Sequence, residues 1–382
     1  MIDPIAIPFF GAAGVAVCGY LLSHARALLR CKDAWLEAVR VCALREGETS
    51  GLFGFVATAR SESFALRVQS RFTVQPGGVL ALGVGLQTVT DRIGLSKPDI
   101  PLSQGFIVTS NEDIVIGEPL VDDRLLITGD RLAVHALLDA ETRALLVRLV
   151  ERPLLHTLNM AGGTLSFLAE ARGFPETLAL VLQLAERLVQ VPPVEERVAA
   201  LAGGDPLPAV RLTCVRALTE ERPRHAATRG ALRAALSDPS ADVRLAAALT
   251  LRTEGREALL GLARSPASTG EIASRAIVAL GAHFPPEDAE RTLQAALSSG
   301  RYETVGACLD SLASRGAAHL GPVRRVLEGL SDSGVALAAS ALGLSGAAEA
   351  EPMLLRALAH ELPDVRAAVI RSLGRVGSVR CV

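Results

Sequence analysis

A repeat of about 31 residues in the second half of the chain constrains the fold more than any other feature. Six equivalent positions start the units, at spacings of 33, 29, 32, 30 and 31 residues: Val210, Val243, Ile272, Thr304, Gly334 and Val365. Counted from each start, a small or β-branched residue stands at the fourth following position and leucine stands at the eighth. Offsets of 0, 4 and 8 share one helical face. Since one helix pair cannot bury that face alone, the repeat predicts an all-α solenoid of about six helix pairs.

Short motifs within these units resemble a known repeat family. The sequence Asp242-Val243-Arg244 recurs as Asp364-Val365-Arg366, and Pro208-Ala209-Val210-Arg211 is a weaker copy. These segments resemble HEAT-like repeats, in the short form first associated with phycobilisome lyases, whose first inner-helix turn opens with Asp-Val-Arg. The resemblance covers residues 205–382 and implies a HEAT-like repeat solenoid there.

The same resemblance says little about activity. HEAT-like repeats of this kind occur in scaffolds, adaptors, lyase subunits and a metal-dependent hydroxylase. A hydroxylase-type repeat would place a His-Glu pair at a recurring position, and no such pair recurs among the seven histidines. The Val-Arg pair is also lost at Thr304 and Gly334, so we expect these two repeats to pack less regularly.

The region of residues 33–192 mixes two hydrophobic periods. Apolar residues alternate with polar ones in residues 64–74, as in a half-buried strand, whereas residues 34–44 have helical spacing. The predicted elements are strands at 52–59, 64–74, 79–86, 113–117 and 124–128, a helix at 130–150, a hairpin of 154–160 with 164–169, and a helix at 175–191. This order predicts an α+β domain with a mostly antiparallel sheet, followed by a linker at 193–204. The domain resembles a segment of uncharacterised bacterial proteins, which implies no known activity.

The amino terminus predicts a membrane anchor. Residues 4–25 contain no charged side chain, and about 20 apolar residues suffice for a spanning helix. Asp3 precedes the segment, and Arg26, Arg30 and Lys32 follow it, so the positive-inside rule leaves the bulk of the chain in the cytoplasm. We therefore expect residues 1–32 to be an anchor with a basic flank, in a single-pass protein of the inner membrane. A cleaved signal peptide and a buried or peripheral helix remain alternatives.

Composition narrows the classes of partner and compartment. The net charge is -2 and aromatic residues make up 3% of the chain, which argues against nucleic-acid binding. The six cysteines form no Cys-x-x-Cys and match no zinc spacing, so a reducing compartment is expected. The sequence contains no phosphate-binding loop, nucleophile elbow or His-Glu-x-x-His helix.

Candidate site residues follow from charge. We assign no catalytic, cofactor-binding or metal-ligating residue. The densest set of carboxylates is Asp113, Glu118, Asp122, Asp123 and Asp130, which could converge on a divalent cation but more simply caps helices and solvates turns. The repeat arginines Arg211, Arg244 and Arg366 recur along one edge of the predicted solenoid and are the candidate partner-binding residues, although pairing with neighbouring aspartates is the simpler interpretation.

Three functions remain open at this point. The first is a membrane-anchored cytoplasmic scaffold or adaptor that binds a protein partner through its solenoid surface. The second is an enzyme or lyase-like subunit, with a site in the α+β domain or at its interface with the repeats. The third is an envelope protein cleaved near Ala27.

Overall fold

Two compact units make up the chain in the computed structural model, Met1–Arg222 and Pro223–Val382. The structure describes residues 6–50, 55–72, 80–87, 93–97, 113–161, 163–189, 193–329 and 332–376. The first unit includes the start of the first repeat, Val210, and the expected linker at 193–204 is occupied by a helix, Val194–Gly204. The division between units therefore lies after the first repeat helix.

One antiparallel sheet of eight strands forms the centre of the described amino-terminal unit, in the order β1-β2-β3-β4-β8-β7-β5-β6. The strands are β1 Arg45–Ser50, β2 Val56–Arg60, β3 Ala65–Phe72, β4 Leu80–Gln87, β5 Ile93–Lys97, β6 Leu126–Gly129, β7 Leu155–Ala161 and β8 Thr164–Glu170. The helices are α1 Ala6–Val41, α2 Pro119–Asp122, α3 Arg131–Leu137, α4 Ala140–Val150, α5 Phe174–Val189, α6 Val194–Gly204 and α7 Pro208–Glu221. The prediction of an amino-terminal α+β region is confirmed.

Two predicted elements differ from those observed. Residues 113–117 form no strand, because Asp113 instead accepts a hydrogen bond from the backbone N–H of Ile127 at 3.0 Å and anchors an irregular loop. The single helix predicted at 130–150 is two helices, since Asp139 adopts an extended conformation and caps α4 through the Thr142 N–H at 2.9 Å. Asp130 caps α3 through the Ala133 N–H at 3.0 Å.

The core of this unit lies on one face of the sheet. Strand β8 alternates between half-buried and buried residues, and its buried set is Leu165, Phe167 and Ala169. Helices α1 and α5 cover this face, and α5 contributes an almost continuous apolar stripe. Trp35 of α1 and Phe174 of α5 are both completely buried in the same core.

Helix α1 does not behave as the predicted anchor. Among the helices that the structure describes, none combines the length and the apolar character that crossing a bilayer requires. The predicted single-pass inner-membrane protein, anchored by residues 4–25, is therefore wrong; residues 4 and 5 lie outside the described part. Helix α1 runs on past Ala25 for 16 more residues, and its later turns bury Cys31 and Trp35 against the sheet. These turns pack in the hydrophobic core of the unit.

Helix α7, the first repeat helix, packs closely on the α+β elements. A Cβ at Gly117, whose φ is +91°, would lie 2.6 Å from the backbone carbonyl carbon of Ala209. The Thr213 hydroxyl donates to the Ile116 carbonyl oxygen at 2.9 Å. Only glycine combines the positive φ with this close backbone approach, so residue 117 helps to define where α7 docks.

A buried charge cluster joins the same elements. Arg143 Nη2 donates to Asp205 Oδ1 at 2.9 Å, and its Nη1 donates to the Leu138 carbonyl at 2.9 Å. The side chains of Arg143 and Asp205 are 3% and 0% exposed. The carboxylate of Glu118 lies 3.7 Å from Arg143 Nε. Because Arg143 and Asp205 are enclosed, each side chain supplies the counter-charge that the other needs in the interior.

His135 of α3 lies near this cluster and makes the unit sensitive to acid. Burial, together with the nearby charges of Arg131 and Arg143, lowers the pKa of His135 from 6.5 to about 4. The unfolded chain therefore binds a proton below pH 6.5 that the folded chain does not bind until about pH 4. We expect stability to be full above pH 6.5 and to fall between these values, by an amount of the order of 3 kcal/mol. Urea unfolding followed by the fluorescence of Trp35, the single tryptophan, measures this for the amino-terminal unit.

The control for this pH dependence is His135→Leu, which removes the titrating group from a buried site. If the variant loses as much stability as the natural chain between pH 6.5 and pH 4, His135 is not the source of the acid sensitivity.

The carboxy-terminal unit is helical throughout its described residues. Its α-helices are α8 Ala226–Ala235, α9 Ala241–Leu251, α10 Arg256–Arg264, α11 Gly270–His283, α12 Pro286–Ser298, α13 Tyr302–Ala313, α14 Leu320–Gly329, α15 Asp332–Ser345, α16 Ala350–Ala357 and α17 Pro363–Val376. Helices α9, α11, α13, α15 and α17 form one row, in which each packs on the next. The helices α13 and α15 are unbroken, although Thr304 and Gly334 lack the family motif.

Candidate functional site

The repeat pattern identifies the buried face of each row helix. The residues four positions after the starts are completely buried: Cys214, Ala247, Ala276, Cys308, Ala338 and Val369. Five of the six leucines at the eighth position are buried as well, namely Leu218, Leu280, Leu312, Leu342 and Leu373, and Leu251 is half-buried. These positions hold the repeats together, so a partner must contact other faces of the helices.

Glycines allow the row helices to approach one another closely. A Cβ at Gly281 of α11 would lie 2.0 Å from the Ser311 hydroxyl oxygen of α13. A Cβ at Gly343 of α15 would lie 2.7 Å from the Ser372 Cβ of α17. Both glycines stand nine residues after a repeat start, which places them on the same part of successive helices. Small residues at this offset therefore bring neighbouring helices together.

The three predicted partner-binding arginines share one geometry. Arg211, Arg244 and Arg366 each use Nη1 to donate to the carbonyl oxygens of the residues six and five positions earlier. The distances are 2.8 and 3.4 Å for Arg211, 2.5 and 2.9 Å for Arg244, and 2.8 and 2.6 Å for Arg366. Each guanidinium thus fastens the loop that leads into its own helix. That they also contact a partner stays a prediction.

This geometry gives a prediction for Arg244. The Arg244→Ala variant leaves two loop carbonyls without their charged donor, so we expect it to lower the stability of the carboxy-terminal unit by about 1–3 kcal/mol. Arg275 is an exposed arginine of the next row helix, and Arg275→Ala is the matched control. Thermal unfolding followed by far-UV circular dichroism measures both variants. Equal melting temperatures for the two variants would show that Arg244 does not stabilise its loop.

A groove of about 670 Å³ lies between α11 and α13. Its walls are short side chains together with two acidic residues and one branched aliphatic residue: Ser274, Val278, Gly281, Ala282, Glu303, Gly306, Ala307, Asp310, Ser311 and Ser314. Val278 is 63% exposed, so an apolar surface is open to solvent in the groove. The groove therefore offers an apolar contact and two carboxylates side by side.

The two carboxylates of the groove have different surroundings. Glu303 lies in the first turn of α13, and its Oε2 rests against Gly270 at the start of α11, where the helix dipole favours a negative charge. Within the described part of the chain, the carboxylate of Asp310 has neither a hydrogen bond nor an ion pair. Surrounding protein atoms desolvate it and raise its pKa, although its side chain still reaches solvent. Asp310 is thus a carboxylate with an open partner position.

Members of the candidate cation site have structural partners instead. Of the acidic set considered as a cation site, Asp122 accepts from the backbone N–H groups of Ile116 and Gly117 at 3.0 and 2.9 Å, while Asp113 and Asp130 cap backbone as described above. No group of three potential ligands that could hold a metal ion occurs among the described residues. Burial raises the pKa of Cys214 and Cys308 to about 12, so both behave as small apolar residues.

The alternative function is an enzyme with a site in the α+β domain. The buried titratable groups of this domain do not support it, because they are closed off from solvent. The cluster of Arg143, Asp205 and His135 is shielded from solvent, with every side chain at most 3% exposed. A substrate could not reach these groups without unpacking α7. The enzyme alternative stays a prediction.

Comparison with known proteins agrees with the repeat geometry. Residues 323–381 match the family described as HEAT repeats. No curated protein matches the chain. The matched residues include part of α14 and the helices α15, α16 and α17, of which α15 and α17 pack on each other. The carboxy-terminal region is thus similar to HEAT repeats, a class that mediates contacts between proteins, and this similarity suggests an interaction or scaffold role.

Proposed function

We propose that this chain is a protein-binding scaffold whose row of repeat helices holds a basic segment of a partner protein in the groove between α11 and α13. The proposal includes a HEAT-like solenoid of about six helix pairs over residues 205–382. The observation that carries it is the open carboxylate of Asp310 beside exposed Val278. An aliphatic side chain and an unpaired carboxylate together suit a segment that presents an apolar residue next to an arginine or lysine.

Energetics supports this assignment of Asp310. The Asp310 side chain is exposed, and the surrounding protein atoms desolvate its carboxylate enough to raise its pKa. A cation of the partner that pairs with this carboxylate would favour its charged form. We therefore expect Asp310→Asn to keep or raise the melting temperature while it weakens partner binding. Stability and binding move in opposite directions at this residue.

Affinity capture from cells that produce the chain tests the proposal. The baits are the natural chain, Asp310→Lys in the groove and Glu290→Lys on α12, which does not line the groove. The proposal is supported by any protein that the natural chain and Glu290→Lys retain but that Asp310→Lys loses. The proposal fails if Asp310→Lys retains every protein that the natural chain retains.

A further inference from the structure

Three arginines of the amino-terminal sheet lie together on the face opposite the core. Arg60 of β2 is paired in register with Arg45 of β1, so their side chains stand directly opposite each other. Arg67 of β3 is diagonal to Arg60, because its register partner Thr58 is two residues away on the same face of β2. We call Arg45, Arg60 and Arg67 the arginine cluster. All three side chains are exposed.

Ion pairs do not neutralise the arginine cluster in the described part of the chain. Within the described residues none of the three guanidinium groups has a hydrogen bond or an ion pair, unlike Arg143 and Arg187 of the same unit. Like charges directly opposite on neighbouring strands destabilise a sheet. This arrangement therefore leaves positive charge in position for an anion from outside the unit.

The arginine cluster lines a trough of about 1060 Å³ on the sheet surface. Its other lining residues include Gly85 of β4, which is opposite Arg67 in the register and has open space above its Cα, with no atom within 4 Å of a Cβ placed there. Glycine thus leaves a floor of bare backbone beside the charges. The trough has room for an extended main chain rather than only for a small ion.

The other lining residues of the trough favour one kind of anionic partner over another. Glu46 and Glu62 line it together with the arginine cluster, and no aromatic residue is among its lining residues. The bases of a single-stranded nucleic acid would find no aromatic side chain to stack on in this trough. An extended acidic peptide carries carboxylates about 7 Å apart on one side. This is close to the roughly 7–8 Å that separates diagonal neighbours on adjacent strands, such as Arg60 and Arg67.

From these observations we propose that the arginine cluster is a second binding site, which takes an extended segment of a protein rich in Asp and Glu. Bidentate bonds from guanidinium groups to its carboxylates would relieve the repulsion between Arg45 and Arg60. The site lies on the sheet of the amino-terminal unit and does not depend on the groove of the repeats. The two proposals therefore fail separately.

Fluorescence anisotropy of the full chain with a fluorescein-labelled octaglutamate peptide tests the site. The variant Arg60→Gln with Arg67→Gln should weaken binding about tenfold or more, because two bidentate donors are lost. Arg148 is an exposed arginine of α4 in the same unit, and Arg148→Gln should change the affinity by less than about twofold. Gly85→Glu should also abolish binding, since it places a carboxylate opposite Arg67.

Folding is controlled within the same set of variants. Arg60→Gln should leave the melting temperature unchanged or raise it, because it removes one of two opposed charges. The proposal is overturned if octaglutamate does not bind, or if Arg148→Gln weakens binding as much as the double variant does. Tighter binding of an eight-residue oligothymidylate, or complete displacement of octaglutamate by inorganic phosphate, would likewise overturn an acidic protein segment as the occupant.

Discussion

Replacing Arg143 by alanine is expected to destabilise the amino-terminal unit by about 3–5 kcal/mol. The variant leaves the carboxylate of Asp205, which is completely buried, without its cation. It also removes the donor to the Leu138 carbonyl, at the junction of α3 and α4. An uncompensated buried charge is far more costly than a lost surface ion pair. The loss should therefore be large even though only one side chain changes.

Urea unfolding followed by Trp35 fluorescence measures this effect in the amino-terminal unit. The matched control is Arg148→Ala, an exposed arginine on the same helix α4, for which we expect less than about 0.5 kcal/mol. Adding Asp205→Asn to Arg143→Ala should recover part of the loss, because the amide removes the unpaired charge and can still accept from the Leu207 N–H. If Arg143→Ala is no more harmful than Arg148→Ala, the cluster does not hold α7 on the α+β elements.

Trp35→Ala should destabilise the same unit by about 3–5 kcal/mol. Trp35 is completely buried between α1 and the core of the sheet, so the truncation leaves a cavity that the neighbouring side chains cannot fill. The result tests whether the later turns of α1 are part of the core. Thermal unfolding by circular dichroism is the appropriate measurement, because the variant removes the only tryptophan.

A second substitution at residue 35 separates packing from polarity. The Nε1 of Trp35 is buried and has no hydrogen-bond partner among the described residues. Trp35→Phe keeps an aromatic ring and removes this unpaired donor, so it should cost clearly less than alanine, about 1–2 kcal/mol. An unchanged melting temperature for Trp35→Ala would contradict a core position for α1.

The repeats were the most predictable part of the fold, for a physical reason. Leucine at the eighth position and small residues at the fourth indicate one buried face on every repeat helix, and almost all of these residues are buried in the structure. The end of the amino-terminal unit was not predictable in the same way. It depends on Gly117 meeting the backbone of α7 and on Arg143 meeting Asp205, and both contacts join residues far apart in the sequence.

Local composition explains the errors in the amino-terminal half. The uncharged run of residues 4–25 matches a spanning helix in length. Helix α1 continues beyond it into turns that pack on the sheet, and hydropathy alone does not predict such tertiary contacts. Strand β1, Arg45–Ser50, has no apolar face and is fully exposed at the sheet edge, so hydrophobic alternation could not reveal it. The structure alone pairs Arg45 with Arg60.

The candidate site was only partly accessible from the sequence. The repeat arginines were recognisable from the Asp-Val-Arg motif, but their bonds to loop carbonyls depend on side-chain geometry. Asp310 stands six residues after the start at Thr304, where the other repeats carry Arg216, Leu249, Val278, Ser340 and Arg371. A carboxylate in only one repeat at that offset is a signal of a special role in the sequence. Its place in a groove between two helices is visible only in the structure.

The most direct test of the scaffold account is a calorimetric titration of a captured, purified partner into the natural chain, Asp310→Lys and Glu290→Lys. The account predicts that Asp310→Lys raises the dissociation constant about tenfold or more, because it replaces an attraction by a repulsion in the groove. Glu290→Lys should bind as the natural chain does. Equal dissociation constants for all three chains would contradict the groove between α11 and α13 as the partner site.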